Sequence, residues 1–112
     1  MVILLYRIRP AYDLSAVKEL ASQGKFSATK RVRGWLRNHG YNDVDTITSV
    51  LAELDESDYY KTDELQVLEG TLADIYRATI DDEEWYVKFF IDSDTGALRV
   101  RIMSFCLDGY QH

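Results

Sequence analysis

One cysteine, one proline and two histidines are all that this 112-residue chain holds of three residue types that usually mark specialised scaffolds. The single cysteine, Cys106, rules out an internal disulfide and suits a reducing, cytoplasmic compartment. His39 and His112 lie in unrelated segments, with no paired Cys/His spacing and no glycine-rich phosphate loop. That argues against a zinc site or a P-loop, so neither metal nor cofactor is expected. No stretch approaches the roughly 20 apolar residues of a membrane span. The opening "MVILLY", followed by Arg7 and Arg9, has neither the length nor the charge order of a signal peptide. With no linker, internal repeat or low-complexity segment, residues 1–112 read as a single domain, long enough to bury a core without a staple.

Basic residues are also scarce over much of the chain. The net charge of −6 argues at first against a nucleic-acid partner. The distribution qualifies this: residues 1–40 carry +6, residues 41–84 carry −12, and residues 85–112 are neutral. Such segregation permits a local basic surface on an acidic protein. Between Glu53 and Asp74 only Lys61 is basic, in "ESDYYKTDE" beside Tyr59 and Tyr60. It reads either as a salt-bridged surface lysine, paired with Asp58 or Glu64, or as a cation placed to handle a proton or a phosphate.

What is present is a clear change of period. "MVILLYRIR" is a β-leaning run ended by Pro10. Three helical segments follow. The first is capped by Asp13, with Leu14, Val17, Leu20 and Ala21 as its apolar stripe and Gly24 as its stop. The second is capped by Ser27, with Val32, Trp35 and Leu36 inward, Lys30, Arg31, Arg33 and Arg37 outward, and Gly40 at its end. The third is capped by Asp43 or Asp45, with Val44, Ile47, Val50, Leu51 and Leu54 inward. From residue 71 the period becomes two, and "TLADIYRAT", "EWYVKFFI" and "ALRVRIMSF" read as consecutive strands. The order β-ααα-βββ predicts an α+β fold, an antiparallel sheet with helices packed on one face.

In the last hairpin, matching the apolar faces predicts Phe89 opposite Val100 and Val87 opposite Ile102, around a loop Ser93-Asp94-Thr95-Gly96. Lys88 then faces Arg101, and Tyr86 faces Met103, on the other side of the sheet. Two cations beside a tyrosine suit a bound phosphate, or are simply a solvated face. A Cys106–His112 nucleophile pair is conceivable, but the same parity puts Cys106 on the Leu98, Val100 and Ile102 face, as an inert buried thiol. Most carboxylates fall in loops and helix ends, and no glycosidase-like pair can be picked out. What is left is tyrosine, lysine and arginine, residues that can cleave RNA without metal by moving protons and stabilising phosphoryl charge.

The blocks "LAELDESDYYKT" (51–62), "LADIYRA" (72–78), "YVKFFI" (86–91) and "RIMSF" (101–105) resemble, in order and spacing, the MqsR family of toxin–antitoxin RNases. "YDLSAVKELASQGK" (12–25) and "SATKRVRG" (27–34) resemble that family's first two helices, so the likeness covers nearly the whole chain. The resemblance implies a RelE-like fold, cleavage of mRNA, and restraint by a cognate antitoxin protein; in the best-known case cleavage prefers GCU and needs no ribosome. It implies Lys61 and Tyr86 as catalytic residues. Lys88, Arg101, Arg77 and Tyr60 would contact RNA. Two positions depart: Ala73 stands where the family has glutamine, and Cys106 where it has a second lysine. Two readings therefore stay open. One is a metal-independent mRNA interferase. The other is a weakened member that binds RNA, the ribosome or a partner protein without cutting.

Overall fold

The computed structural model describes residues 9–107, Thr95 excepted. The strand expected over residues 1–9 lies, but for Arg9, outside the described residues, as does His112. Helix α1 (Leu14–Ser22) buries Leu14, Val17 and Ala21 of the expected stripe and leaves its fourth member, Leu20, half-buried, with Asp13 at its N-cap position. Helix α2 (Lys30–Asn38) buries Val32 and Leu36, with Trp35 half-buried, and α3 (Asp43–Glu53) buries Ile47, Val50 and Leu51, whereas Val44, expected inward, is exposed. Gly24 and Gly40 end the first two helices with φ of +73° and +86°, a region L side chains rarely adopt.

The caps differ from those expected. Thr29, not Ser27, accepts the Val32 N–H at 3.1 Å, and Asn42, not Asp43 or Asp45, accepts the Asp45 N–H at 3.0 Å. Ser27 is otherwise engaged, in a short strand β1 (Phe26–Ala28). Asp43 is buried and takes an ion pair from Arg37 at 2.9 Å.

A 3₁₀ turn (Glu56–Asp58) leads into β2 (Tyr59–Glu64), followed by β3 (Leu72–Ile80), β4 (Glu83–Asp94) and β5 (Ala97–Leu107). The five strands form one sheet in the order β1-β5-β4-β3-β2. The α+β class and the helices-then-strands order hold, but the sheet is mixed, since β1 runs parallel to β5. Strands β1 and β2 carry weak apolar alternation, so pattern alone passed over both.

The helices cover one sheet face. Val17, Leu36, Ile47 and Leu51 pack there against Tyr76, Val87, Phe89, Val100, Ile102 and Phe105. Each such side chain contributes about 1.5–3 kcal/mol by leaving water. No described helix covers the other face, where Leu65, Ala73 and Phe90 form a small cluster and Ile75 and Cys106 are also buried.

The β4–β5 register corrects the expected one. Phe89 faces Ile102, not Val100; Val87 faces Phe105; Lys88 faces Ser104, not Arg101; and Tyr86 faces Cys106, not Met103. Two features shift it. The hairpin closes tightly, with Asp94 paired to Ala97 and Gly96 at φ +86°. A bulge then sets two residues of β5 (Ile102 to Ser104) against one step of β4 (Lys88 to Phe89), leaving Met103 as the extra residue. Beyond the bulge parity inverts: Phe105 enters the core, and Cys106 comes onto the Tyr86 face. Cys106 is buried as expected, but on the opposite side of the sheet from Val100 and Ile102.

One buried carboxylate ties the layers together. Asp74 of β3 is fully buried. It accepts the N–H groups of Ala11 and Tyr12, both at 2.9 Å, and the Thr62 hydroxyl at 2.6 Å. Because Thr62 donates to Asp74, it accepts from Tyr59, whose hydroxyl lies 2.6 Å away. Asp74 thus holds the segment before α1 and the edge strand β2 to the sheet. Replacing a buried acceptor of three bonds leaves its donors unsatisfied. Asp74→Ala is expected to cost about 3 kcal/mol or more in urea unfolding and to expose the chain around residues 9–13 to proteolysis. A loss below about 1 kcal/mol would show that the network does not anchor these elements.

Candidate functional site

Two bulges build the open face. In β2, Tyr59 pairs with Tyr76 and Lys61 with Ile75, so Tyr60 is the extra residue. Without it Lys61 would alternate onto the helix side. With it, Tyr59 turns inward against Tyr76, ring centroids 5.7 Å apart, and Lys61 and Asp63 share the open face. Across the sheet this gives parallel rows. Lys61, Ile75, Lys88 and Ser104 form one, and Arg77, Tyr86 and Cys106 the next.

All six residues singled out from the sequence therefore lie on one face. Lys61, Tyr86, Lys88 and Arg77 are brought together, with Tyr60 beside them. The Lys61 ammonium lies 5.5 Å, and the Arg77 guanidinium 5.1 Å, from the centre of the Tyr60 ring, within cation–π range. Arg101 stands apart, paired across β4 with Phe90. It donates to the Ser27 hydroxyl at 3.0 Å and lies 3.6 Å from Asp92.

The cations face carboxylates that the sequence did not single out. Arg77 pairs with Glu84 at 3.2 Å, and Arg101 with Asp92. Asp63 lies 3.8 Å from both Lys61 and Lys88, through different oxygens. Lys61 is thus an ion-paired lysine as the plainer reading held, but its partner is Asp63 rather than Asp58 or Glu64. The signal for Asp63 was there: two residues beyond Lys61, it shares a face with it in any strand.

Tyr86 is half-buried, and its phenol is pushed above the usual tyrosine range. Burial is the main cause, and the negative charge of Asp63 is next. A phenol held protonated is a donor. The two departures from the family pattern also find their places. Cys106 is directly across from Tyr86. Ala73 is directly across from Asp63, fully buried in an apolar cluster with Leu65 and Phe90. That end of the face is an apolar wall.

Among the described residues, no group of three His, Cys, Asp or Glu side chains is gathered as a metal site, and no helix is long and apolar enough to cross a membrane. The face presents a proton donor, several cations and an edge of apolar surface. No curated protein matches the chain. Residues 9–106 match the family described as "Motility quorum-sensing regulator, toxin of MqsA". That match runs through the described helices and strands as far as Cys106 of β5, and the chain belongs to the MqsR family of toxins, whose members act as one half of a toxin–antitoxin pair.

Proposed function

We propose that the protein is a metal-independent endoribonuclease that cuts mRNA in the cytoplasm and is restrained by a cognate antitoxin. The observation that carries this reading is the gathering of Lys61, Lys88 and Arg77 around a protonated Tyr86 on an open sheet face. Cleavage at a 2′-hydroxyl needs charge stabilised on the phosphoryl oxygens, and Lys61 and Lys88 lie one strand apart on either side of Ile75 to do so. It also needs the 5′-oxygen protonated as it leaves, which suits a phenol held in its neutral form. Arg77, Arg101 and the ring of Tyr60 extend the surface for backbone and base contacts.

A reading in which the chain binds RNA, a ribosome or a partner protein without cutting draws on Cys106, which puts a thiol next to Tyr86 where the family has a cation. Lys88, in the adjacent row, supplies positive charge close by, which favours the cutting enzyme.

Inducible expression followed by mapping of RNA 5′ ends separates the two readings. Wild type is expected to generate new ends carrying 5′-hydroxyl groups. Lys61→Ala is expected to lower their yield by about 10²-fold or more, and Tyr86→Phe by roughly 10²–10⁴-fold. Cleavage unchanged in both variants would remove the assigned site, and no new ends from wild type would leave the binding protein as the reading. The raised phenol also has a pH signature: a step that uses protonated Tyr86 should persist through pH 9 and fail only above the usual tyrosine range near 10. A loss of activity well below pH 9 that Tyr86→Phe abolishes would contradict this.

A further inference from the structure

We propose that Asp63 is the general base of this site, taking the proton from the attacking 2′-hydroxyl; the inference rests on the endoribonuclease reading above. Its starting point is an imbalance. The open face offers donors in number (Lys61, Lys88, Arg77 and Tyr86), yet 2′-oxygen attack also requires a proton acceptor. Lys61 and Lys88 each lie 3.8 Å from an oxygen of the same carboxylate, and as ammonium groups they have protons to donate and no lone pair to accept with. Tyr86 is held protonated by burial. Of the carboxylates on this face, Glu84 is drawn to Arg77 at 3.2 Å and Asp92 to Arg101 at 3.6 Å, both towards the margins.

Among the described residues, Asp63 alone is central. One oxygen lies 3.8 Å from Lys61 and the other 3.8 Å from Lys88. Both separations are beyond hydrogen-bond length, so the oxygens keep accepting capacity. Its side chain is 37% exposed, and therefore within reach of a substrate. Beside it, Ala73 lies under Leu65 and Phe90, an apolar wall that keeps water from one flank and strengthens charge effects there. The strand is fixed by the neighbouring Thr62–Asp74 hydrogen bond, so the carboxylate is held rather than left on a free loop.

The reaction balances without a further reagent. A phosphate held by Lys61 and Lys88 brings its ribose 2′-hydroxyl to Asp63, which takes the proton. The 2′-oxygen forms the new bond to phosphorus while the bond from phosphorus to the 5′-oxygen breaks. Tyr86 gives its proton to that oxygen. The products are a 2′,3′-cyclic phosphate and a 5′-hydroxyl, and proton exchange with water returns both side chains to their starting forms.

Asp63 could instead be only a counter-ion that shields the lysines, and the two roles make opposite predictions. With purified protein and a synthetic RNA, a general base predicts that Asp63→Asn lowers kcat by about 10²–10⁴-fold. Affinity for the same RNA carrying a 2′-deoxy block at the cleaved position should hold or tighten. A shielding counter-ion predicts that Asp63→Asn cuts as fast as wild type or faster, which would overturn the proposal. The direction of proton transfer is tested with a substrate whose leaving 5′-oxygen is replaced by sulfur, which departs without protonation. Sulfur should relieve the Tyr86→Phe defect and leave that of Asp63→Asn in place; relief of both would overturn the base assignment. Thermal melting checks that Asp63→Asn is folded, and rescue of Asp63→Ala by added formate is expected; a folded Asp63→Ala that formate does not restore counts against the role. If wild type cuts no RNA, the endoribonuclease reading fails first. If wild type cuts and Asp63→Asn cuts equally well, only the base assignment fails.

Discussion

Asp74 is the constraint on which the rest of the arrangement hangs. A carboxylate with no exposure to water must have its lone pairs satisfied, and here three donors from two distant parts of the chain supply the bonds. Two of them are backbone amides just before α1, and the third is a hydroxyl from the edge strand β2. The same three bonds that satisfy Asp74 therefore decide where α1 starts and where β2 docks. Since Lys61 and Asp63 flank Thr62, the candidate site inherits its geometry from a group on the other side of the sheet.

The open face depends equally on broken alternation. A regular β2 would turn Lys61 towards the helices, and a regular β5 would send Cys106 into the core. One extra residue in each strand, Tyr60 and Met103, inverts both outcomes. The bulges cost ladder regularity and in exchange bring side chains from four strands onto one surface. Their positions fit the apolar pattern. Ile102 and Phe105 are three residues apart and both pack on the helix-covered face, which a regular strand cannot achieve.

This is also where sequence reading reached its limit. Helix stripes and the three long strands were legible, because Leu14–Val17–Ala21 or Trp85–Val87–Phe89 repeat at the right period. The cap of α2 was misplaced because Ser27 and Thr29 are both good caps, and only β1 pairing distinguishes them. The β4–β5 register was misplaced because it assumed unbroken alternation. The candidate cations and Tyr86 were legible through family likeness more than through local chemistry. Asp63 was hidden among the many acidic residues of the segment between residues 41 and 84. Its shared face with Lys61 was readable from the spacing, but its reach to Lys88 across β3 is set by the fold.

The electrostatics of the face reconcile an acidic chain with an anionic ligand. Lys61 and Lys88 share Asp63, Arg77 has Glu84, and Arg101 has Asp92, so the four cations are partly neutralised by three carboxylates. These pairs are partly exposed and 3.2–3.8 Å long. Pairs of that kind contribute about 0–1 kcal/mol each. A phosphodiester that offers shorter, charge-assisted hydrogen bonds can displace them at small cost. Glu84 and Asp92 thus act as placeholders: they keep Arg77 and Arg101 ordered, and they limit the long-range field that would draw any polyanion to the surface. An acidic protein can in this way carry a local site for phosphate while its net charge discourages indiscriminate binding.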